Sequence, residues 1–274
     1  MRYVITGHTG FLGKNLLEKL QEDPTSEFLL IGREYNLIDQ IANFNPDYIY
    51  HYAAEIYDET KMIDSNIILT YKLLEATKNL PYKGFINLGS SSEYGSKDKP
   101  RAETDILIPN TMYEATKGSA TLLCQAYATI YDKPIVTIRP FSVYGRYEKD
   151  HRFIPTLLRK FKNKETVTIF PGVHDFIHID DFTEGVLQIA TSSNIKKDIV
   201  NLGTGIQYTN LEVYEIFCTI FGYKIDLNLS TTKLRIFDTE YWLADTTHAE
   251  TKYNIKPKYD LLTGLKQYYV ETIK

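Results

Sequence analysis

The stretch Thr-Gly-His-Thr-Gly-Phe-Leu-Gly, Thr6 to Gly13, constrains this chain more than any other. It follows the apolar run Tyr3-Val4-Ile5 and opens a segment whose apolar residues recur at helical spacing. Glycines at positions 7, 10 and 13 let a chain turn tightly out of a strand, bring backbone close to a diphosphate, and leave room for the following helix to pack on the sheet. The helix start then offers unpaired N–H groups to an anion. A bare turn needs no such spacing, so the motif predicts a dinucleotide crevice.

Beyond it, short β-rich runs alternate with helical patterns, which predicts βαβ units and a parallel sheet covered on both faces. Strands are expected near Tyr3 to Thr6, Phe28 to Ile31, Tyr48 to Tyr52, Phe85 to Leu88 and Ile135 to Arg139. Helices are expected over Gly13 to Gln21, Asp64 to Lys78 and Tyr113 to Tyr131, ended by Asn79-Leu80-Pro81 and Asp132-Lys133-Pro134 in the last two cases. After Gly145 the pattern loosens to a helix from about Pro155 to Lys162 and strands near Val167 to Phe170 and Phe176 to Ile179. The expected fold is α/β: a Rossmann-type doubly wound parallel sheet with a smaller, interleaved α/β substrate-binding lobe. The division falls at residues 1–145 for the dinucleotide half, with returning segments near 174–205, and 146–274 for the smaller lobe.

The second strand ends in Gly32-Arg33, and Arg33 lies 33 − 13 = 20 positions past the last glycine, where the adenosine ribose is read. A guanidinium there suits a 2′-phosphate and predicts NADP, with NADPH as reductant. If Glu34 takes the ribose instead, NAD fits.

Two further stretches carry chemistry. Tyr113 and Lys117, in Tyr-Glu-Ala-Thr-Lys, stand four residues apart and share one helix face. Ser90 to Gly95, Ser-Ser-Ser-Glu-Tyr-Gly, follows the fourth β run. In a doubly wound sheet both would reach the carboxyl edge where ligands bind. Lys117 would then lower the Tyr113 pKa from its ordinary value of about 10, and Ser90 would hold a carbonyl oxygen.

Net charge is −4, so no global basic field draws nucleic acid. No run reaches membrane-span length. The chain has two cysteines, Cys124 and Cys218, in apolar helical surroundings without metal-ligand spacing; free thiols in a reducing cytoplasm are expected, and no metal. Its 22 tyrosines scatter and are expected to pack rather than stack bases.

In order along the chain, Thr6 to Gly13, His-Tyr-Ala-Ala at His51 to Ala54, Asn66, Gly-Ser-Ser-Ser-Glu-Tyr-Gly, Tyr113 with Lys117, Arg-Pro-Phe-Ser-Val-Tyr-Gly from Arg139 to Gly145, Arg152 to Arg159, His174 to Asp181 and Asn201 to Gly205 resemble the nucleotide-sugar enzymes of the extended short-chain dehydrogenase/reductase family. The resemblance implies Tyr113 as acid/base, Lys117 on the nicotinamide ribose, and a serine completing the triad. Ser90 holds that place in the gap-free register, with Ser91 as runner-up. It also implies cofactor contacts from Gly7, Thr9, Gly10, Phe11, Leu12, Gly13, Arg33, Asn36, Leu37, Ala53, Ala54, Asn66, Pro140 and Phe141. Substrate contacts would come from Ser91, Ser92, Ser142, Arg152, His174 and Arg235.

Ser142 stands where relatives usually have asparagine, and His174 where they carry a pyrophosphate-binding arginine. The helices over Asp64 to Lys78 and Tyr113 to Tyr131 resemble a four-helix dimer interface, though their apolar faces could equally lie within one monomer. Asp181 is expected to cap a helix beginning near Phe182, and His51 to end a strand.

The expected activity is an NADPH-dependent 4-ketoreductase on a CDP-, dTDP- or GDP-linked 4-keto-6-deoxyhexose, with Tyr113 as proton donor. The alternatives are an NAD-dependent nucleotide-sugar 4-epimerase, a 4,6-dehydratase, and a redox-silent NADP-binding protein. The dehydratase chemistry needs a carboxylate directly after the catalytic hydroxyl, and Glu93 comes one residue late.

Overall fold

A computed structural model of the chain describes residues 1–32, 38–193, 195–232 and 240–273. Arg33, Asn36, Leu37 and Arg235 lie outside the described residues.

The central sheet contains β1 (Arg2–Thr6), β2 (Glu27–Ile31), β3 (Tyr48–His51), β4 (Gly84–Leu88), β5 (Ile135–Pro140) and a late strand, β9 (Asp198–Leu202), in the order β2-β1-β3-β4-β5-β9. Every pairing is parallel, as Thr6 opposite both Ile31 and His51 illustrates. β3 and β4 are buried along their whole length, so each reads as a nearly continuous apolar run.

Alternate residues feed two cores. Ile5, Tyr48, Tyr50, Ile86 and Ile138 face one side, packed with Leu16 and Leu20 of α1 (Phe11–Leu20) and with Phe182, Val186 and Ile189 of α7 (Ile179–Ala190). Val4, Ile49, Phe85 and Ile135 face the other, against Leu69, Leu73 and Leu74 of α4 (Leu69–Thr77) and Cys124 and Ala128 of α5 (Met112–Ile130). The tyrosines of the first face stack on one another, with ring centroids 5.6 Å apart for Tyr3 and Phe28 and 6.0 Å for Tyr3 and Tyr48.

A short helix α2 (Ile41–Phe44) precedes β3. The helix that follows β3 starts as α3 (Glu59–Met62) and passes through a π-helical segment, Ile63–Ile68, before continuing as α4. α5 begins at Thr111, whose hydroxyl accepts the Glu114 N–H at 3.2 Å.

The remaining residues build a second core. β6 (Ser142–Tyr144), β8 (Val173–His178) and β10 (Gln207–Thr209) form one small sheet, and β7 (Val167–Ile169) pairs with β11 (Leu227–Leu229). α6 (Phe153–Asn163), α8 (Asn210–Phe221) and α10 (Leu261–Glu271) close around Leu157, Phe161, Phe217 and Leu265, while α9 (Thr247–Tyr253) packs with the main core.

One expected cap differs. α7 begins at Ile179, three residues before Phe182, and its cap is His178, whose Nδ1 accepts the Asp180 N–H at 3.2 Å. The Asp181 carboxylate instead accepts the N–H groups of Lys258 and Tyr259, each at 2.9 Å. Those donors come from a distant return of the chain. No helix among the described residues is long and apolar enough to cross a membrane.

Candidate active site

The strand order reverses beside β1, between its neighbours β2 and β3, and this opens the crevice in which doubly wound sheets bind ligands. The glycine turn fills it tightly. Gly7 has φ +70°, and a Cβ there would stand 2.6 Å from the Ala53 nitrogen. A Cβ on Gly13 would collide with the Gly7 carbonyl oxygen and stand 2.8 Å from the Gly7 carbonyl carbon. Gly10, at the N-cap of α1, offers no capping side chain, so the first N–H groups of the helix, those of Phe11 and Leu12 among them, open toward the crevice. Such a cradle, shaped so that side chains are excluded and N–H groups converge, fits the diphosphate of a dinucleotide. Thr9 is exposed at its rim, while the Phe11 and Leu12 side chains pack on the main core.

The wall beyond β3 is held by a buried proton chain. The Thr70 hydroxyl donates to the Asn66 carbonyl at 2.7 Å, so its oxygen accepts from His51 Nε2 at 2.8 Å. His51 Nδ1 must then accept from the Thr6 hydroxyl, also at 2.8 Å, and Thr6 Oγ1 in turn accepts the Tyr52 and Ala53 N–H groups at 3.2 and 3.1 Å. His51 is therefore neutral, and burial, aided by the Lys117 charge, depresses its pKa to about 3. It ends β3, as its sequence position suggested. Ala54 is exposed just beyond.

Asn66 sits in the π-helical segment, 2 % exposed. Its amide accepts the Glu55 N–H at 2.8 Å and donates to the Glu55 carbonyl and the Thr116 hydroxyl, both at 3.0 Å. It thereby clamps the loop after β3 to the helix carrying Tyr113. Thr116, inside Tyr-Glu-Ala-Thr-Lys, was visible in that motif but received no role from the sequence.

The serine, tyrosine and lysine converge at the carboxyl end of β4. Ser90 caps a 3₁₀ turn, Ser91–Tyr94, and its oxygen accepts the Ser92 N–H at 3.1 Å. Its own hydroxyl hydrogen is left to donate to the Tyr113 phenol, with which it is hydrogen-bonded. Ser91 is buried, and Ser92 is partly exposed. Lys117 donates to the Leu88 carbonyl at the strand end.

The phenol does not behave as the sequence suggested. Burial raises the Tyr113 pKa, with Glu93 and Tyr57 adding to the rise and the Ser90 hydrogen bond and Arg152 opposing it. Burial lowers that of Lys117, against the pull of Glu93. With its ammonium turned to Leu88, Lys117 is not among the groups that pull the phenol down.

Glu93 is withdrawn from the reaction centre. One carboxylate oxygen accepts the Ser90 N–H at 2.8 Å; the other takes Arg139 Nε and the Thr121 hydroxyl, each at 2.9 Å. The Glu93 and Arg139 side chains are 0 % and 2 % exposed. Burial works against the Arg139 charge, but Glu93 and Tyr94 outweigh it and hold its pKa above the ordinary value. Glu93 is thus an anchor for the serine turn.

On the opposite wall, Pro140 ends β5, and the N–H of the next residue, Phe141, donates to the Leu202 carbonyl at 2.9 Å. Ser142 and His174, the two positions where the resemblance departs from its pattern, touch: Ser142 Oγ lies 3.1 Å from His174 Nδ1. The His174 ring also lies 6.3 Å from that of Trp242. The neighbouring Asp175 is a staple that the sequence did not reveal. Its carboxylate accepts the Thr204 hydroxyl and N–H at 2.7 Å and the Gly205 and Ala244 N–H groups at 3.0 and 3.1 Å. Arg152 stands at the start of α6, half-exposed, with Nε 3.6 Å from Glu148. Across the mouth, the Tyr57 hydroxyl meets His151 Nε2 at 3.1 Å. Neither Tyr57 nor Glu148 had any signature in the sequence.

Cys124 is buried, Cys218 half-buried, and both are free. Among the described residues, no group of three or more His, Cys, Asp or Glu side chains is arranged to hold a metal ion.

A diphosphate cradle at a topological switch point, beside a Ser–Tyr–Lys constellation, defines a dinucleotide-dependent enzyme of the short-chain dehydrogenase/reductase class. Residues 3–203 match the model of the NAD dependent epimerase/dehydratase family, and the chain belongs to that family. Among its relatives is the uncharacterized UDP-glucose epimerase YtcB of Bacillus subtilis, 26% identical across 97% of this chain and 96% of its own. The probable UDP-glucuronate 4-epimerase of Rhizobium meliloti is 25% identical across 69% of this chain and 68% of its own. Among solved structures, UDP-glucuronic acid 4-epimerase from Bacillus cereus in complex with NAD superposes with a TM-score of 0.84 at 26% identity, covering 100% of both chains. These similarities favour the epimerase alternative over the ketoreductase expectation, and they lend no support to a preference for NADP.

Proposed function

We propose that this protein is an NAD-dependent 4-epimerase of a UDP-linked hexose or hexuronate. The observation that supports the reading most is that Ser90 interacts with the Tyr113 phenol, and Lys117 with the Leu88 carbonyl two residues before Ser90, while Glu93 is locked to Arg139. Glu93, the carboxylate nearest the triad serine in sequence, is taken up by the Ser90 N–H, Arg139 and Thr121, which does not favour its use as the second base that a 4,6-dehydratase requires. The names of the relatives, and the NAD held by the Bacillus cereus enzyme, support the epimerase over the reductase.

NAD held at the Gly7–Gly13 turn would supply the hydride acceptor, and then the donor, for C4 of the sugar. This chain's residues supply the rest. The Tyr113 phenolate oxygen would remove the proton of the C4 hydroxyl as the C4 hydride leaves, and would return it to the same oxygen when, after the keto sugar has turned, hydride adds to the other face of C4. Ser90, which pulls the phenol pKa down through a hydrogen bond, holds the same oxygen of the sugar. Lys117, fixed to the Leu88 carbonyl, places a positive charge beside the nicotinamide ribose. The raised phenol pKa belongs to the chain alone, and the positive nicotinamide ring would lower it toward the working range. Gly7, Gly10 and Gly13, with Ala53 and Asn66, form the cofactor wall; Ser91, Ser92, Ser142, Arg152 and His174 form the substrate wall.

Residues 1–145, with returning segments near 174–205, constitute the cofactor domain, and 146–274 the substrate lobe, apart from α9, which packs with the main core. The working form is a cytoplasmic homodimer built on α3 to α5, which carry the exposed apolar side chains Ile63, Tyr71, Leu122 and Ile130.

The deciding experiment is a panel. Protein supplied with NAD is incubated with UDP-glucose or UDP-glucuronate, and the C4 epimers are read by proton NMR. In parallel, CDP-, dTDP- and GDP-4-keto-6-deoxy sugars are mixed with NADPH and followed at the nicotinamide absorbance. Epimer formation in the first arm is expected. NADPH oxidation in the second, with none in the first, would replace the epimerase by the reductase.

A further inference from the structure

Outside the triad, the most unusual ionisable group near the reaction centre is Glu148. It lies in the loop between β6 and α6, and its side chain is 6 % exposed. Oε1 stands 3.6 Å from Arg152 Nε, and Oε2 is buried without a hydrogen-bond partner. A carboxylate so enclosed is costly to keep unless its charge is used. Among the described residues its one close cation is Arg152, four positions on. That guanidinium is 47 % exposed, its terminal nitrogens make no hydrogen bond among the described residues, and its charge is felt at the Tyr113 phenol.

We propose that Glu148 is a positioning residue: its carboxylate holds Arg152 by Nε at the mouth of the site, so that the guanidinium's terminal N–H groups face the diphosphate or sugar oxygens of the nucleotide sugar beside Tyr113. The inference rests on the proposed function for the identity of the ligand, but not for the pairing itself. A lone arginine on an open rim spreads over many rotamers, and a buried partner on Nε removes that freedom while leaving the fork-shaped end available.

The surroundings of Glu148 make its charge conditional. Burial lifts its carboxyl to about 7, against the pull of Arg152 and the Gly145 backbone. From α10, the phenol of Tyr268 faces it, pushed up to about 12 by burial first and then by Glu148, Asp150 and Glu271. Below neutrality Glu148 takes a proton and releases Arg152; above it the pair forms.

The test combines kinetics with a spectroscopic reading of the carboxyl. With UDP-glucose as substrate, Glu148→Gln is expected to raise KM roughly tenfold at pH 8, the equivalent of one lost charge contact, with kcat within about twofold. The unaltered protein is expected to show a rise in KM below pH 7, which Glu148→Gln should abolish and Glu148→Asp should restore in part. In ¹³C-carboxyl-labelled protein, the Glu148 resonance, assigned through Glu148→Gln, should titrate near neutrality and move to higher pH in Arg152→Met. An unchanged KM, or a fall in kcat and melting temperature at constant KM, would reduce Glu148 to a packing residue and overturn the proposal. Should no UDP-sugar be turned over, the proposed function falls, and the carboxyl titration still decides: unmoved by Arg152→Met, it refutes the pairing; moved, it sustains it.

Discussion

Replacing Glu93 by Gln separates an anchor from a catalytic base. The substitution preserves shape but removes the charge opposite Arg139 in a site where neither side chain reaches solvent. The neutral amide can still accept the Ser90 N–H, now bonded at 2.8 Å, but its NH2 would face the Arg139 Nε and the Thr121 hydroxyl, which at present both donate to that oxygen. Arg139 NH1 already lacks a partner, so the orphaned cation has nowhere to turn. Breaking a buried pair from one side costs about 3–5 kcal/mol. For a chain of this size that is a fall in melting temperature on the order of 10 °C. Calorimetry of the NAD-free protein reads the fall directly. Turnover, measured well below the new melting temperature, should drop by about tenfold or less, because the serine turn loosens without any proton-transfer group being lost. A loss of turnover greater than a thousandfold with a melting temperature shifted by less than about 2 °C would refute the reasoning and make Glu93 a catalytic carboxylate.

Tyr113→Phe should lower turnover by about a hundred- to ten-thousandfold while NAD affinity, measured calorimetrically, stays within about twofold; an unchanged rate removes its acid/base role. Gly13→Ala should weaken NAD binding at least about tenfold in the same measurement, because its methyl would occupy the position of the Gly7 carbonyl; unaltered affinity would show that the turn is not the cradle. The depressed pKa of His51 predicts an acid-labile fold. The unfolded chain binds the imidazole proton below about pH 6.5 and the folded chain only near 3, so stability should fall by about 1.4 kcal/mol per pH unit from the upper value toward the lower. In urea titrations, His51→Gln should flatten that slope; an equal slope in both proteins would mean that other groups set it.

The legible parts of this molecule are those in which function and local backbone coincide. Gly7 and Gly13 announce themselves because a Cβ would collide with backbone at either position, and the buried strands because burial on both faces leaves nearly uninterrupted apolar runs. Tyr113 and Lys117 are readable because helix geometry fixes their relation. The illegible parts depend on partners far along the chain. Asp181 and Asp180 are equivalent as letters, yet the return of Lys258 and Tyr259 takes Asp181 away from the helix start and leaves the cap to His178. Glu93 has the composition of a base and the position of an anchor, and only Arg139, 46 residues on, decides between them. The direction of the Tyr113 pKa was misjudged for a similar reason: Lys117 is turned to the Leu88 carbonyl, and burial governs the phenol. The preference for NADP was argued from Arg33 alone, a position outside the described residues.

The π-helical turn at Ile63–Ile68 has a consequence for how this sequence tolerates change. Such a turn holds one residue more than the regular helix around it, and each residue of an α-helix advances the chain by about 100°. Losing a single codon anywhere in that stretch would let the helix become regular and swing Asn66 a quarter-turn or more off its clamp on Glu55 and Thr116, although every remaining side chain was unaltered. Indels here should therefore be far more damaging to NAD binding than point changes at the same positions, and a deletion of Ile67 that bound the dinucleotide normally would show that the extra residue is incidental.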